Sequence, residues 1–185
     1  MSTTVPSHEW PDVRWSARSA NPAGSETETL PERDEDAPAR KDLGQAARAA
    51  LVEGRYVTAL GLLERSLAWS ADASGWSDRG RCLVGLGRWD EALASFERAV
   101  TLDRENAPAW GALGEHLARL QRLAQARAAF ARALALDAAQ ADALYGMARL
   151  LTRLGRSAEA NGFAQGFLAV ARADDPRAED ASTMS

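Results

Sequence analysis

Large and small apolar positions recur along the middle of the chain with a 34-residue period. Within each period the apolar residues follow the three-to-four-residue spacing of amphipathic helices. Weaker copies of the pattern lie one step before and one step after the two clearest ones. The matching positions of the clear copies are Trp76 and Trp110, Gly80 and Gly114, Ala92 and Ala126, Phe96 and Phe130, and Ala99 and Ala133. The pattern predicts helix pairs at 41–53 with 56–70, 74–86 with 89–102, 108–120 with 123–136, and 142–154 with 157–172.

Each period contains two helices joined by a short turn that contains glycine, such as Gly87-Arg88 or Gly155-Arg156. Small residues let the two helices approach closely, and the large apolar residues fill the space between them. One such pair cannot bury its own apolar face, so successive pairs are expected to stack on one another. Because the interval from Ala59 to Ala92 is one residue shorter than the period, the first linker should be one residue short.

This pattern resembles the tetratricopeptide repeat family. The residues that carry the resemblance are Trp76, Gly80, Leu83, Gly87, Ala92, Phe96 and Ala99, and Trp110, Leu113, Gly114, Leu117, Ala126, Phe130 and Ala133. The outer copies depart from the family pattern, since the first lacks Trp and Phe at the expected places and the last has Ser157 where an aromatic residue or Leu is usual. The resemblance implies an all-α, right-handed helix-turn-helix solenoid of about four repeats. We place the repeats at 40–72, 73–106, 107–140 and 141–174.

Composition divides the chain into a body and two tails. The net charge of −4 comes from 22 basic and 26 acidic residues. Residues 1–39 hold 8 acids and 3 bases (−5), residues 40–174 hold 15 and 18 (+3), and residues 175–185 hold 3 and 1 (−2). Both tails are polar, and the first is rich in proline, so neither can bury enough apolar surface to offset its ordering entropy. We predict that 1–39 and 175–185 are disordered.

No membrane span, secretory signal or disulfide framework is expected. The chain has no apolar run long enough to cross a membrane, no apolar core in the segment Met1–Trp15 and a single cysteine, Cys82. These features favour a protein of the cytoplasm. The use of Arg in place of Lys and the abundance of Ala favour a bacterial origin. Cys82 and His116 lie one period apart and could form a nucleophile or half a metal site. The alternative is that both are buried packing residues, and we predict neither an enzyme, nor a cofactor, nor a metal.

The resemblance implies that the first helix of each repeat lines a concave groove. Its predicted peptide-binding residues are Arg48, Arg81, Glu115, Arg119, Tyr145, Arg149 and Arg153. Such a groove is mainly basic, and arginine suits the bidentate capture of carboxylates. We therefore expect a protein or peptide partner, which is acidic if the groove binds carboxylates. The alternative is that these arginines solvate an exposed face, paired to Glu115 and Asp142. The family's carboxylate clamp, which grips chaperone C-termini, uses Lys and Asn at groove positions. Here no Asn falls among those positions and Lys41 is the only candidate Lys, so a receptor for chaperone tails is disfavoured.

Three further segments are candidates for contacts. Trp10 and Trp15 form a candidate docking motif, or they fold back onto the solenoid. The acidic segment Glu26–Asp36 could occupy the basic groove. Because no polar capping helix is expected after 157–172, the apolar side chains of the last helix could be open and favour self-association. The side chains concerned are Phe163, Phe167 and Leu168. The alternative is that this degenerate last helix is itself the cap.

The function that these features favour is a non-catalytic adaptor for protein–protein interaction. A bacterial secretion or assembly chaperone is a second possibility, although a proline-rich acidic arm is unusual for one. An accessory subunit of a multiprotein complex cannot be separated from the adaptor by sequence. An RNA-binding helical repeat is disfavoured because the body carries a net charge of only +3.

Overall fold

The computed structural model describes residues 37–172 and 174–184, and side chains from residue 42 onward. The described part is helical, without strands. Its nine helices are α1 (Ala37–Val52), α2 (Tyr56–Trp69), α3 (Ala73–Gly85), α4 (Trp89–Leu102), α5 (Ala107–Arg119), α6 (Leu123–Leu136), α7 (Ala141–Arg153), α8 (Ser157–Val170) and α9 (Arg177–Met184). The eight helices expected from the repeat are confirmed. The start of α1 at Ala37 lies three residues before the predicted start of the solenoid.

The helices stack as consecutive pairs. Each odd-numbered helix from α1 to α7 packs against the helix that follows it, and α2, α4 and α6 pack against the first helix of the next pair. The first helices also contact one another in the order α1, α3, α5 and α7. Since every pair buries its apolar face between neighbours, the arrangement is a helical repeat solenoid.

Three side chains that cap first helices keep the 34-residue period. The side chains of Asp72, Asn106 and Gln140 accept hydrogen bonds from backbone N–H groups three residues further on. Each cap satisfies one of the donors that a helix leaves unpaired at its start. The caps therefore fix where α3, α5 and α7 begin.

The turn inside each pair needs a residue in the left-handed backbone region. Gly54, Gly87 and Gly155 occupy it with a φ of +72°. In the third pair the equivalent residue is Gln121, with a φ of +61°. A side chain at such a φ is strained because its Cβ crowds the backbone. The third turn is therefore built with a less suitable residue than the others.

The short first linker is confirmed. Residues 70–72 join α2 to α3, whereas four residues, 103–106 and 137–140, form the next two linkers. In the second linker the indole Nε1 of Trp110 donates to the carbonyl oxygen of Arg104 at 3.0 Å. The equivalent Nε1 of Trp76 is buried and has no hydrogen-bond partner in the described part of the chain. The missing linker residue therefore coincides with an unsatisfied donor.

Phenylalanine rings pack directly against glycine inside the pairs. Phe96 and Phe130 are 2% and 1% exposed. A Cβ on Gly80 would lie 2.7 Å from the Phe96 ring, and one on Gly114 would lie 2.6 Å from the Phe130 ring. Gly146 of α7, in the next pair, also lies against the Phe130 ring. The small residues of the repeat thus allow the close approach that the sequence pattern predicts.

The C-terminal segment differs from the prediction of a disordered tail. Residues 177–184 form α9, which packs on α8 and α7 as α7 packs on α6 and α5. Ala181 is fully buried against Leu144 and Phe167. Polar composition concealed this helix, whose contacts include the ion pairs of Arg177 and the hydrogen bond to Asp180. The missed signal was Pro176, which lies two repeat periods after Pro108, at the start of α5.

The helix α9 also corrects the expectation of an open apolar face on the last helix of the array. Phe167 is fully buried, and Phe163 and Leu168 are partly buried. The polar α9, rather than α8 itself, covers this end. Of the described helices, none combines the length and the hydrophobicity that crossing a membrane requires.

Candidate functional site

A groove with a volume of about 750 Å³ runs along the first helices of the pairs. Its lining extends from Arg48 of α1 through α3, α5 and α7 to Arg177 of α9. It brings together four of the predicted residues: Arg48, Arg81, Glu115 and Arg119. A volume of this size lies within the range of ligand-binding clefts.

A smaller cavity of about 210 Å³ lies between α5 and α7. Its charged lining is Glu115, Arg119, Arg149 and Arg153, all of them predicted groove residues. Its apolar lining is Ala118, Leu123, Phe130 and Leu150. The two cavities share Glu115 and Arg119. The predicted residues, apart from Tyr145, therefore line the larger groove, the smaller cavity or both.

At the α1–α3 end, two arginines share one carboxylate. The Nε of Arg48 donates to Asp78 Oδ2 at 2.9 Å, and its Nη2 donates to Ser74 Oγ at 2.8 Å. Arg81 approaches the other carboxylate oxygen of Asp78 at 3.8 Å. One carboxylate balances only one guanidinium, so this end retains a positive charge. Asp78 was missed in the sequence, although it lies three residues before the predicted groove residue Arg81.

The arginines around the smaller cavity are paired unequally. Arg119 forms an ion pair with Glu115 at 2.8 Å, one helical turn away. Arg153 donates to the neutral side-chain oxygen of Gln121 at 2.6 Å. The guanidinium of Arg149 lies over the Tyr145 ring, 5.5 Å from its centroid. Within the described residues, neither Arg149 nor Arg153 has a carboxylate within ion-pair distance.

Tyr145 points to α9 instead of lining either cavity. Its hydroxyl donates to Asp180 Oδ2 at 2.6 Å, and its ring lies 5.3 Å from that of Phe167. Burial and this hydrogen bond to a carboxylate raise the pKa of Tyr145. Beside it, Arg177 pairs with Asp142 at 2.6 Å and with Asp175 at 2.7 Å. Sequence reasoning missed Arg177 and Asp180 because it treated their segment as disordered.

Some of the charged side chains that line the two cavities therefore pair with one another. The larger groove is lined by four arginines and three carboxylates, 4 − 3 = +1. The smaller cavity is lined by three arginines and one carboxylate, 3 − 1 = +2. Of the pairings expected for a solvated face, Arg119 does pair with Glu115, whereas Asp142 pairs with Arg177, which was not among the predicted arginines. The excess positive charge lies between α5 and α7.

Cys82 and His116 do not form a reactive pair. Cys82 is fully buried, and burial, reinforced by the charge of Asp78, raises its pKa to about 11. The Nε2–H of His116 donates to the backbone oxygen of Trp89 at 2.9 Å, and its buried Nδ1 has no hydrogen-bond partner among the described residues. A protonated thiol without a base is a poor nucleophile. The described residues also contain no cluster of three or more potential metal ligands.

The other predicted contacts lie outside the described residues. These are the Trp10 and Trp15 docking motif and the acidic segment Glu26–Asp36. Both stay predictions.

Comparison with known proteins agrees with the repeat architecture. Residues 77–141 match the sequence model of the tetratricopeptide repeat family. No curated protein is similar enough in sequence to count as a relative. Residues 77–141 are therefore tetratricopeptide repeats.

Solved structures extend the likeness over most of the chain. TTC0263, a tetratricopeptide repeat protein of Thermus thermophilus, has a TM-score of 0.69 at 21% identity, covering 77% of this chain and 78% of its own. YrrB, a repeat protein with an unusual peptide-binding site, has a TM-score of 0.62 at 23% identity, covering 80% and 76%. MamA from Desulfovibrio magneticus RS-1 has a TM-score of 0.61 at 19% identity, covering 74% and 77%. At these identities the likeness establishes the fold.

Proposed function

We propose that the chain is a non-catalytic adaptor that binds a peptide or protein segment along the groove of its first helices. The observation that carries this proposal is the groove itself, a continuous volume of about 750 Å³ between charged side chains. Small residues such as Ser74, Ser77 and Ala112 leave room along its floor for an extended chain. The peptide-binding site of YrrB gives the proposal a precedent in this fold.

The ligand should carry carboxylates. Arg48 and Arg81 share a single acid, and Arg149 and Arg153 have none within ion-pair distance among the described residues. A ligand carboxylate can replace water at these guanidiniums with charge-assisted hydrogen bonds. The electrostatic part of this affinity should weaken as salt rises, because exposed charges are screened.

The test reverses charge at the groove and its adjoining smaller cavity, and separately at residues outside both. The variant Arg81→Glu with Arg149→Glu should lose the partners that the full chain captures by crosslinking in cell extract. Arg98→Glu with Arg132→Glu is the matched control, because both residues are exposed on second helices and the charge change is the same. Equal capture by both variants, with thermal unfolding unchanged, would contradict a binding role for the groove.

A further inference from the structure

At the first two junctions between repeats, the first residue of the second helix is aromatic and lies against the first helix of the next repeat. In α2 this residue is Tyr56, whose ring lies against α3 so closely that a Cβ on Gly85 would be 2.6 Å from it. In α4 it is Trp89, whose indole stacks on His116 of α5 with ring centroids 6.1 Å apart. At both junctions an aromatic ring of the chain itself occupies this position.

At the third junction the ring is missing. The equivalent residue of α6 is Leu123, one period after Trp89, and the residue equivalent to His116 is Leu150 of α7. A leucine has fewer atoms than an indole, and the 210 Å³ cavity lies at this place. Pockets that bind small molecules usually have a volume of roughly 300 Å³ or more. This cavity is smaller, so it suits a single side chain. We call it the Leu123 pocket, with Leu123, Phe130, Leu150 and Ala118 as its apolar lining.

Two arginines without acidic partners stand around the Leu123 pocket in the described part of the chain. Arg153 is held by Gln121, a neutral acceptor, and Arg149 lies over the Tyr145 ring. Both side chains are exposed. An apolar cavity beside two such guanidiniums can hold an aromatic ring and a neighbouring carboxylate at the same time, because arginine both stacks on rings and binds carboxylates in bidentate fashion.

We propose that the Leu123 pocket takes an aromatic side chain of the bound peptide, and that Arg149 and Arg153 bind a carboxylate next to it. At the third junction the ring of the ligand thus takes the position that Tyr56 and Trp89 of the chain itself occupy at the first two. This inference rests on the proposed peptide-binding function and narrows it to peptides with an aromatic residue beside Asp or Glu. Buried aromatic rings are among the side chains that contribute most to the binding energy of such interfaces.

Selection from a random short-peptide library on the full chain tests the proposal. The enriched peptides should contain an aromatic residue adjacent to an acid, and the best of them is then remade with a fluorescent label. Replacing its aromatic residue by alanine, or its acid by the corresponding amide, should weaken binding about tenfold or more by fluorescence anisotropy.

Two protein variants locate the site. Leu123→Trp fills the pocket with the side chain of the preceding repeat and should weaken binding at least about tenfold without loss of thermal stability. Arg149→Glu with Arg153→Glu should do the same, while Arg98→Glu with Arg132→Glu leaves affinity unchanged. If the indole at 123 disturbs folding, Leu123→Phe and the double variant of Arg149 and Arg153 carry the test.

The outcomes separate the two proposals. Enrichment of peptides without an aromatic–acid pair, or full affinity in a folded Leu123→Trp variant, overturns the assignment of the Leu123 pocket and leaves the groove as a binding site. A library that yields no peptide above background overturns peptide binding by the groove, and the pocket assignment falls with it.

Discussion

The imidazole of His116 stacks on the indole of Trp89 and donates a hydrogen bond from Nε2 to the backbone carbonyl oxygen of the same residue. This double contact joins α5 to the first residue of α4. The carbonyl can only accept, so Nε2 carries the proton and the neutral ring leaves Nδ1 as a buried lone pair. Burial is the main cause that lowers the pKa of His116 below 6.5, and the nearby Arg119 and Arg122 lower it further. The hydrogen bond to Trp89 and the charge of Glu115 oppose this shift.

The lowered pKa of His116 predicts a loss of stability in mild acid. Below about pH 6.5 the unfolded chain binds a proton that the folded ring does not, so the free energy of unfolding falls as pH decreases. His116→Leu, which copies Leu150 of the next repeat, should remove this part of the pH dependence. Urea unfolding midpoints at about pH 7.5 and about pH 5 measure it. The control is His8→Leu, and the attribution fails if that variant, rather than His116→Leu, flattens the pH dependence.

Cys82 should be chemically silent in the folded protein. Its side chain is fully buried, and its pKa of about 11 keeps the thiol protonated at neutral pH. A colorimetric disulfide reagent should react with it only as fast as the protein unfolds, and at once in denaturant. Rapid labelling of the native chain near neutral pH would show that Cys82 is accessible as a thiolate.

The turn at Gln121 predicts a stabilising substitution. Gln121 holds a φ of +61° where the other turns have glycine, so Gln121→Gly should raise the free energy of unfolding by about 0.5–1 kcal/mol. The lost hydrogen bond from Arg153 is exposed and offsets little of this gain. The matched substitution Gly87→Gln should lower stability by about 1–2 kcal/mol. Chemical denaturation compares the two, and a lower midpoint for Gln121→Gly would contradict the strain assigned to this turn.

The helix α9 should stabilise the end of the solenoid. A chain ending at Arg172 would uncover Phe167 and Leu144, and we expect it to lose about 1–3 kcal/mol of stability. The exposed patch should also make it associate at high concentration, which sedimentation velocity measures. Tyr145→Phe is the control, since it removes only the hydrogen bond to Asp180 and should cost within about 1 kcal/mol. A shortened chain as stable and as monomeric as the full one would show that α9 contributes nothing here.

The repeat made most of the solenoid predictable from sequence. Trp110, Gly114 and Phe130 repeat the residues one period earlier, and a helix that must stack on equal neighbours has few alternatives. The groove was expected from the resemblance to the tetratricopeptide repeat family, which implies that the first helices line a concave surface. The short first linker was predictable from the interval between Ala59 and Ala92, which is one residue shorter than the period.

The contacts of the groove were less predictable than its position. Periodicity does not tell which carboxylate an arginine meets, so the pairing of Arg48 with Asp78 needed coordinates. The helix α9 was missed because its composition is polar, although Pro176 continues the period. The change from Trp89 to Leu123 stood in the sequence as well. Its significance follows from the contacts of the aromatic rings at the equivalent positions. Tyr56 lies against Gly85, and Trp89 stacks on His116.

The missing residue in the linker between α2 and α3 has a consequence for sequence alignment. An alignment that imposes one constant step on the whole chain shifts α1 and α2 by one position against the later repeats. Gly54 would then be aligned with Arg88 instead of Gly87. Arg48 would be aligned with Cys82 instead of the groove residue Arg81. Alignments of such arrays should therefore place their gaps in the linkers and compare helices only after that correction.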